Sequence, residues 1–134
     1  MDQNHEEQII KSFIVKRLQD RVLFELSTKK YRDKLHSRLT NYFETTVEKR
    51  YIRKIDFIKI PEIIQLLKRE GAPSICYVLS YDQEYDGKHY KLNDALEELI
   101  FNGMPYIISC IPGKLAYFQG EHEQGEPVRY LFKR

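Results

Sequence analysis

Met104 to Glu121 reads MPYIISCIPGKLAYFQGE, two apolar runs joined across Pro112-Gly113, and its reading decides the fold. Tyr106 to Ile111 and Leu115 to Gln119 are short, rich in β-branched and aromatic residues and bounded by turn residues, which is the pattern of buried strands. Proline followed by glycine suits a type II turn. Primed turns dominate two-residue hairpins, so a longer or bulged connection is the alternative. The stretch predicts the central hairpin of a sheet.

Working outward, Val128 to Lys133 adds a strand after the polar EHEQGEP loop. Upstream, ICYVLS at Ile75 to Ser80 lies between Pro73-Ser74 and a polar YDQEYDGK segment and reads as another buried strand. Asp86-Gly87 marks a tight turn. Leu92, Ala95, Leu96, Leu99 and Ile100 then give one helical face, with Asn93 as the expected N-cap and Asn102-Gly103 as the stop. The order strand, helix, strand, strand, strand predicts a mixed, mainly antiparallel sheet of about four strands with one βαβ-like crossover.

The first half has a helical period. Ile10, Phe13, Ile14, Leu18, Val22 and Leu26 recur every three or four residues up to Ser27-Thr28, and Tyr31, Leu35, Leu39, Tyr42, Phe43 and Val47 continue as a second helix. Lys49 to Lys59 alternates as an amphipathic strand would. Pro61 opens a short helix carrying Ile60, Ile63, Ile64 and Leu67, which stops at Gly71. The expectation is one α+β domain over residues 1–134, with the amino-terminal helices packed on one sheet face.

Composition bounds the class. The 134 residues are 42% hydrophobic and 31% charged, far from the composition of disordered chains. Cys76 and Cys110 stand on separate apolar runs without a CxxC partner, which argues against a zinc site or disulfide framework and for a reducing, cytoplasmic setting. The polar start MDQNHEEQ lacks a signal-peptide pattern, and no apolar run reaches membrane-spanning length. Net charge is +2, yet residues 1–70 carry sixteen Lys and Arg against eleven Asp and Glu, whereas the remainder carries six against nine.

Chemistry-bearing patterns are sparse. Cys110 has no local group to depress its pKa, so its expected role is structural. A Ser-His-Asp set can be drawn from Ser80 or Ser109, His89 or His122, and Asp82 or Asp86, but no G-x-S-x-G elbow supports it. Asp82-x-Glu84-x-Asp86-Gly87 begins like a calcium loop and then puts Asn93 where the bidentate glutamate belongs, so Asp82, Glu84, Asp86 and Asp94 read as a solvated acidic turn. Pro112-Gly113-Lys114 lacks phosphate-loop spacing. No catalytic residue, cofactor or metal is expected.

Two surfaces remain as binding candidates. One is a basic face of Lys29, Lys30, Arg32, Lys34 and Arg38, extended by Arg50, Arg53 and Lys54, which would contact phosphates. The other is the rim of the central hairpin at Lys114, Tyr117 and Glu121, where aromatics at a sheet edge suit a partner strand. The chain is therefore expected to be a small non-catalytic binding module acting through protein partners or self-association, with nucleic-acid binding through the basic face, or an enzyme near Cys110 or the acidic turn, as the alternatives.

Overall fold

In the computed structural model, which describes residues 1–56, 59–121 and 125–134, the Met104–Glu121 hairpin lies at the centre of a six-stranded sheet. The strands are β1 (Ile52–Lys54), β2 (Ile75–Ser80), β3 (Lys88–Lys91), β4 (Tyr106–Ile111), β5 (Leu115–Gln119) and β6 (Arg129–Lys133), in the order β1-β6-β5-β4-β2-β3. All neighbouring pairs are antiparallel. Between β4 and β5 the Ile111 carbonyl accepts from the Lys114 N–H across Pro112-Gly113, and a register shift falls between Ser109 and Ile111, so the connection is the longer, bulged one. Gly113 sits at φ +69, and a Cβ there would stand 2.8 Å from Ser12 Oγ. Glycine lets helix and hairpin approach this closely.

Six helices cover the sheet: α1 (Gln3–Phe13), α2 (Lys16–Ser27), α3 (Lys34–Asn41), α4 (Phe43–Thr46), α5 (Ile60–Arg69) and α6 (Leu92–Leu99). The α+β class and the packing of the amino-terminal helices on one face hold. The sheet is larger than the pattern predicted because both added strands lie at edges. β3 reads KHYK and carries no aliphatic alternation, while β1 is three residues long with Arg53 and Lys54 exposed. Short, lysine-bearing edges discourage pairing with another chain. The expected strand over Lys49 to Lys59 shrinks to β1, and its Phe57 and Ile58 lie outside the described residues.

The crossover has a different course from the one expected. β2 and β4 are antiparallel neighbours, because the β2–β3 hairpin reverses the chain before α6. The helix therefore links β3 to β4, two parallel strands with β2 between them. α6 starts at Leu92 after Lys91, not after Asn93, and no side chain caps it. The long helix read from Ile10 to Leu26 is two: at Ile14 the chain leaves the helix to bridge Val47, and α2 begins at Lys16. That bridge serves the same apolar residue as a helical stripe would, so periodicity alone cannot reveal the break.

Each sheet face has its own core. Val78, Ile108, Tyr117 and Leu131 meet Ile63, Leu67, Ala95, Leu96 and Leu99 of α5 and α6. Tyr77, Leu79, Ile107, Phe118 and Phe132 meet Ile10, Phe13, Val22, Leu35 and Leu39 of α1 to α3. At roughly 1.5–3 kcal/mol for each large apolar side chain fully buried, both layers are substantial. Because both faces are covered, alternation along β5 exposes neither Tyr117 nor Phe118.

Candidate functional site

Register builds the most chemically loaded place in the molecule. Ser109 of β4 pairs with Tyr77 of β2, and Tyr77 pairs with His89 of β3, so one row crosses three strands on the face covered by α1. The first turn of α1 lies above that row. Asp2 caps the helix by accepting the His5 N–H through Oδ1 at 3.0 Å, a satisfied N-terminal donor. His5 Nε2 and Ser109 Oγ share a hydrogen bond at 2.6 Å, and the His5 ring stacks on Tyr77 with centroids 4.9 Å apart. His89 packs beside both rings, its centroid 4.8 Å from that of Tyr77 and 6.1 Å from that of His5. Burial lowers the His5 pKa, and His89 adds to the lowering, against the opposing pull of Asp2 and Glu6.

Next to this row a guanidinium is sunk into the protein. Arg32 donates through Nη1 and Nη2 to Glu6 at 2.9 and 2.7 Å, through Nε to Asp86 at 2.8 Å, and through Nη1 to the Leu26 carbonyl. Tyr77 donates to Glu6 Oε2 at 2.5 Å. Burial opposes the charge on Arg32, but the hydrogen bonds and charges of Glu6 and Asp86 more than offset it, and its pKa rises above the ordinary value. Burial and the Glu6 contact likewise raise that of Tyr77. The network ties α1, the end of α2, the turn before α3 and the β2–β3 turn together.

This changes the basic face. Arg32 is buried and fully paired, and Arg38 makes a two-pronged contact with Glu25 at 3.1 and 2.9 Å. Lys29, Lys30 and Lys34 remain exposed, the last two over the Tyr31 ring. Arg50 stacks on Tyr51 and pairs with Glu48. Arg53 and Lys54 belong to β1, at the opposite sheet edge from β3 and its Asp86 turn, and five strand spacings of about 4.8 Å put those edges roughly 24 Å apart. The residues from Lys29 to Lys54 thus form two separate patches, with their best guanidinium spent internally. The hairpin rim also divides: Lys114 and Glu121 are exposed at opposite ends of β5, and Tyr117 between them is 0% exposed, hydrogen-bonded to Gln119.

The thiols are inert. Burial pushes both Cys76 and Cys110 up to about 12, so neither supplies thiolate near neutral pH. Asp86 is held by Arg32 and by the Ser80 N–H, and Asp82 by the Glu84 N–H and Asn102, so the acidic turn is spent on its own shape. Of the serines, histidines and acids drawn on paper, Ser80 meets Asp82 and Asp86 through backbone N–H bonds, whereas His89 stands beside Tyr77 and Asp2, and His122 lies outside the described residues. A line that sequence reasoning missed does form, Ser109 Oγ to His5 Nε2 at 2.6 Å and His5 Nδ1 to Asp2 Oδ2 at 4.0 Å. Ser109 is 1% exposed in the middle of the sheet, so no substrate carbonyl can reach it. Among the described residues, one group could hold a metal ion: Asp2, His5 and His89. Its signal in the sequence was Asp2-x-x-His5 within the first turn of a helix.

A second feature lies at the far end of α3. A cleft of about 440 Å³ is lined by His36, Ser37, Thr40, Tyr81, Met104 and Glu121, among others. His36 is 2% exposed, and among the described residues its Nδ1 has no partner. Burial drives its pKa down to about 4, with Arg32 assisting and Asp86 opposing, so the ring is neutral. Around the cleft Tyr81 and Met104 are exposed, Tyr42 follows the lining residue Asn41, and Phe101, 85% exposed, shares the 100–105 connection with Met104. Comparison with protein-family models, with curated proteins and with solved structures finds no match.

Proposed function

We propose that the chain is a non-catalytic binding module whose partner is another protein, docked at the cleft between α3 and the 100–105 connection. The observation that carries this reading is that two large exposed apolar side chains, Tyr81 and Met104, line one cleft, with exposed Tyr42 next in the chain to the lining residue Asn41 and exposed Phe101 three residues before Met104. Isolated exposed apolar residues are ordinary, whereas a group of them around a concave surface marks a contact site. The aromatic and methionine content suits an interface core, and Ser37, Thr40, Asn41 and Glu121 supply a polar surround. Sheet-edge pairing is the weaker route for this chain, since β1 and β3 are short and charged.

The test is capture from native lysate with the chain immobilised through its carboxyl end, beside light scattering of the free protein. Wild type and a Phe24→Ser control, altered at an exposed residue of α2, should retain the same partner, and Phe101→Ser/Met104→Ser should lose it. A wild type that retains nothing and stays monomeric, or a double variant that retains the partner, overturns the proposal.

A further inference from the structure

Independent of that cleft, we infer that Asp2, His5 and His89 form a binding site for one divalent transition-metal ion of the zinc class. Their ligand atoms already lie within 4.8 Å of one another, with Asp2 Oδ2 3.6 Å from His89 Nε2 and 4.0 Å from His5 Nδ1. Bonds of about 2.0–2.2 Å place tetrahedral ligands roughly 3.4 Å apart, so each separation has to close by about 1.4 Å or less. His89 and Asp2 can supply that movement, because their side chains are 49% and 38% exposed.

Every ligand is oriented by a contact that the ion would not use. Asp2 Oδ1 is occupied by the helix cap, which leaves Oδ2 as the free oxygen. The 2.6 Å contact of His5 Nε2 with Ser109 Oγ leaves Nδ1 as the ring nitrogen on the side of the gap, and in the metal-bound form Nε2–H would donate to Ser109 Oγ, the arrangement in which a ligating imidazole gives its second nitrogen to an outer partner. Tyr77 lies against both rings and limits their tilt. Met1 carbons approach Gly87 at the β2–β3 turn so closely that a Cβ there would meet Met1 Cγ at 2.7 Å, which seats the chain end beside β3.

The donor set selects the class of ion. Two imidazoles and one carboxylate favour zinc, cobalt or nickel over calcium and magnesium, which take oxygen ligands in larger number. Three protein ligands leave a fourth position, and the exposure of His89 and Asp2 opens it to water or to a donor from outside.

The experiment uses the untagged chain beginning at Met1, stripped with chelator and titrated with Zn²⁺ by calorimetry, with Co²⁺ and its visible absorption as a spectroscopic probe. One ion per chain should bind. His89→Ala, at an exposed residue, should weaken binding roughly 100-fold or more, and Asp2→Asn, which keeps a helix cap but removes the charge, about 10-fold or more. Asp94→Asn should leave affinity unchanged. Nitrogen NMR should show Zn²⁺ displacing the His5 Nδ1 and His89 Nε2 resonances. Absent or substoichiometric uptake, or unchanged affinity in His89→Ala, overturns the inference.

Discussion

Across α5 and α6 the sheet is covered by Ile63, Leu66, Leu67, Leu92, Ala95, Leu96 and Leu99, and the polar groups beneath them, Gln119 with Tyr106 and Tyr117, satisfy one another. Across α1 to α3 an apolar core of similar make-up is bordered by Glu6, Arg32, Glu25, His5 and His36, all buried. The first face is held mainly by burial of surface, which has no direction and no pH dependence, with Arg129 the one buried cation among its described residues. The second depends on charges taken from water and paired, where geometry decides whether the arrangement stabilises at all. Asp2, His5 and His89 meet on the second face because the register of β2 against β3 and β4 lines up Ser109, Tyr77 and His89 beneath the first turn of α1.

That contrast can be broken most severely at Arg32. Arg32→Met leaves Glu6 and Asp86 buried without their counter-charge, and denaturant unfolding should show a loss of about 3–5 kcal/mol. A loss under about 1 kcal/mol would mean that the seam is not held by this ion. On the apolar face, Leu96→Ala should cost about 2–5 kcal/mol by opening a cavity, and by the same amount at pH 5 and pH 7. A pH-dependent cost would blur the distinction between the faces. Gly113→Ala tests the contact between α1 and the central hairpin: positive φ and the approach to Ser12 Oγ should together cost about 1–3 kcal/mol in thermal or urea unfolding. Lys29→Ala and Lys30→Ala, at solvated residues, should each move stability by about 0.5 kcal/mol or less.

How much of this was legible in the sequence differs between the same two faces. The hairpin, β2, α5 and α6 were readable because their residues pack on neighbours that share one period: Leu92, Leu96 and Leu99 needed nothing beyond their spacing to declare a buried face. The polar seam was not. Arg32 looked like one cation of a solvated run, since the carboxylates that claim it stand 26 and 54 positions away. His5 and Asp2 sat in a segment that read only as a polar start, and their meeting with His89 depends on the register of β2 against β3, which no local pattern encodes. Tyr117 was assigned to the rim because a single strand shows two faces, and only the tertiary fold shows that both are covered.

Sensitivity of stability to pH belongs to the α1–α3 face, with His36 its leading group. The folded-state pKa of about 4 lies below the ordinary 6.5, so the unfolded chain takes up the proton first, and stability, complete above about pH 6.5, falls as pH drops toward 4. For these two values the loss between pH 7 and pH 5 is about 2 kcal/mol, and the lowered pKa of His5 acts in the same direction. Urea unfolding at pH 7 and pH 5 of wild type and of His36→Leu measures it directly: wild type should lose about 2 kcal/mol or slightly more over that interval, and the variant only a minor part. Equal losses in the two proteins would contradict the claim.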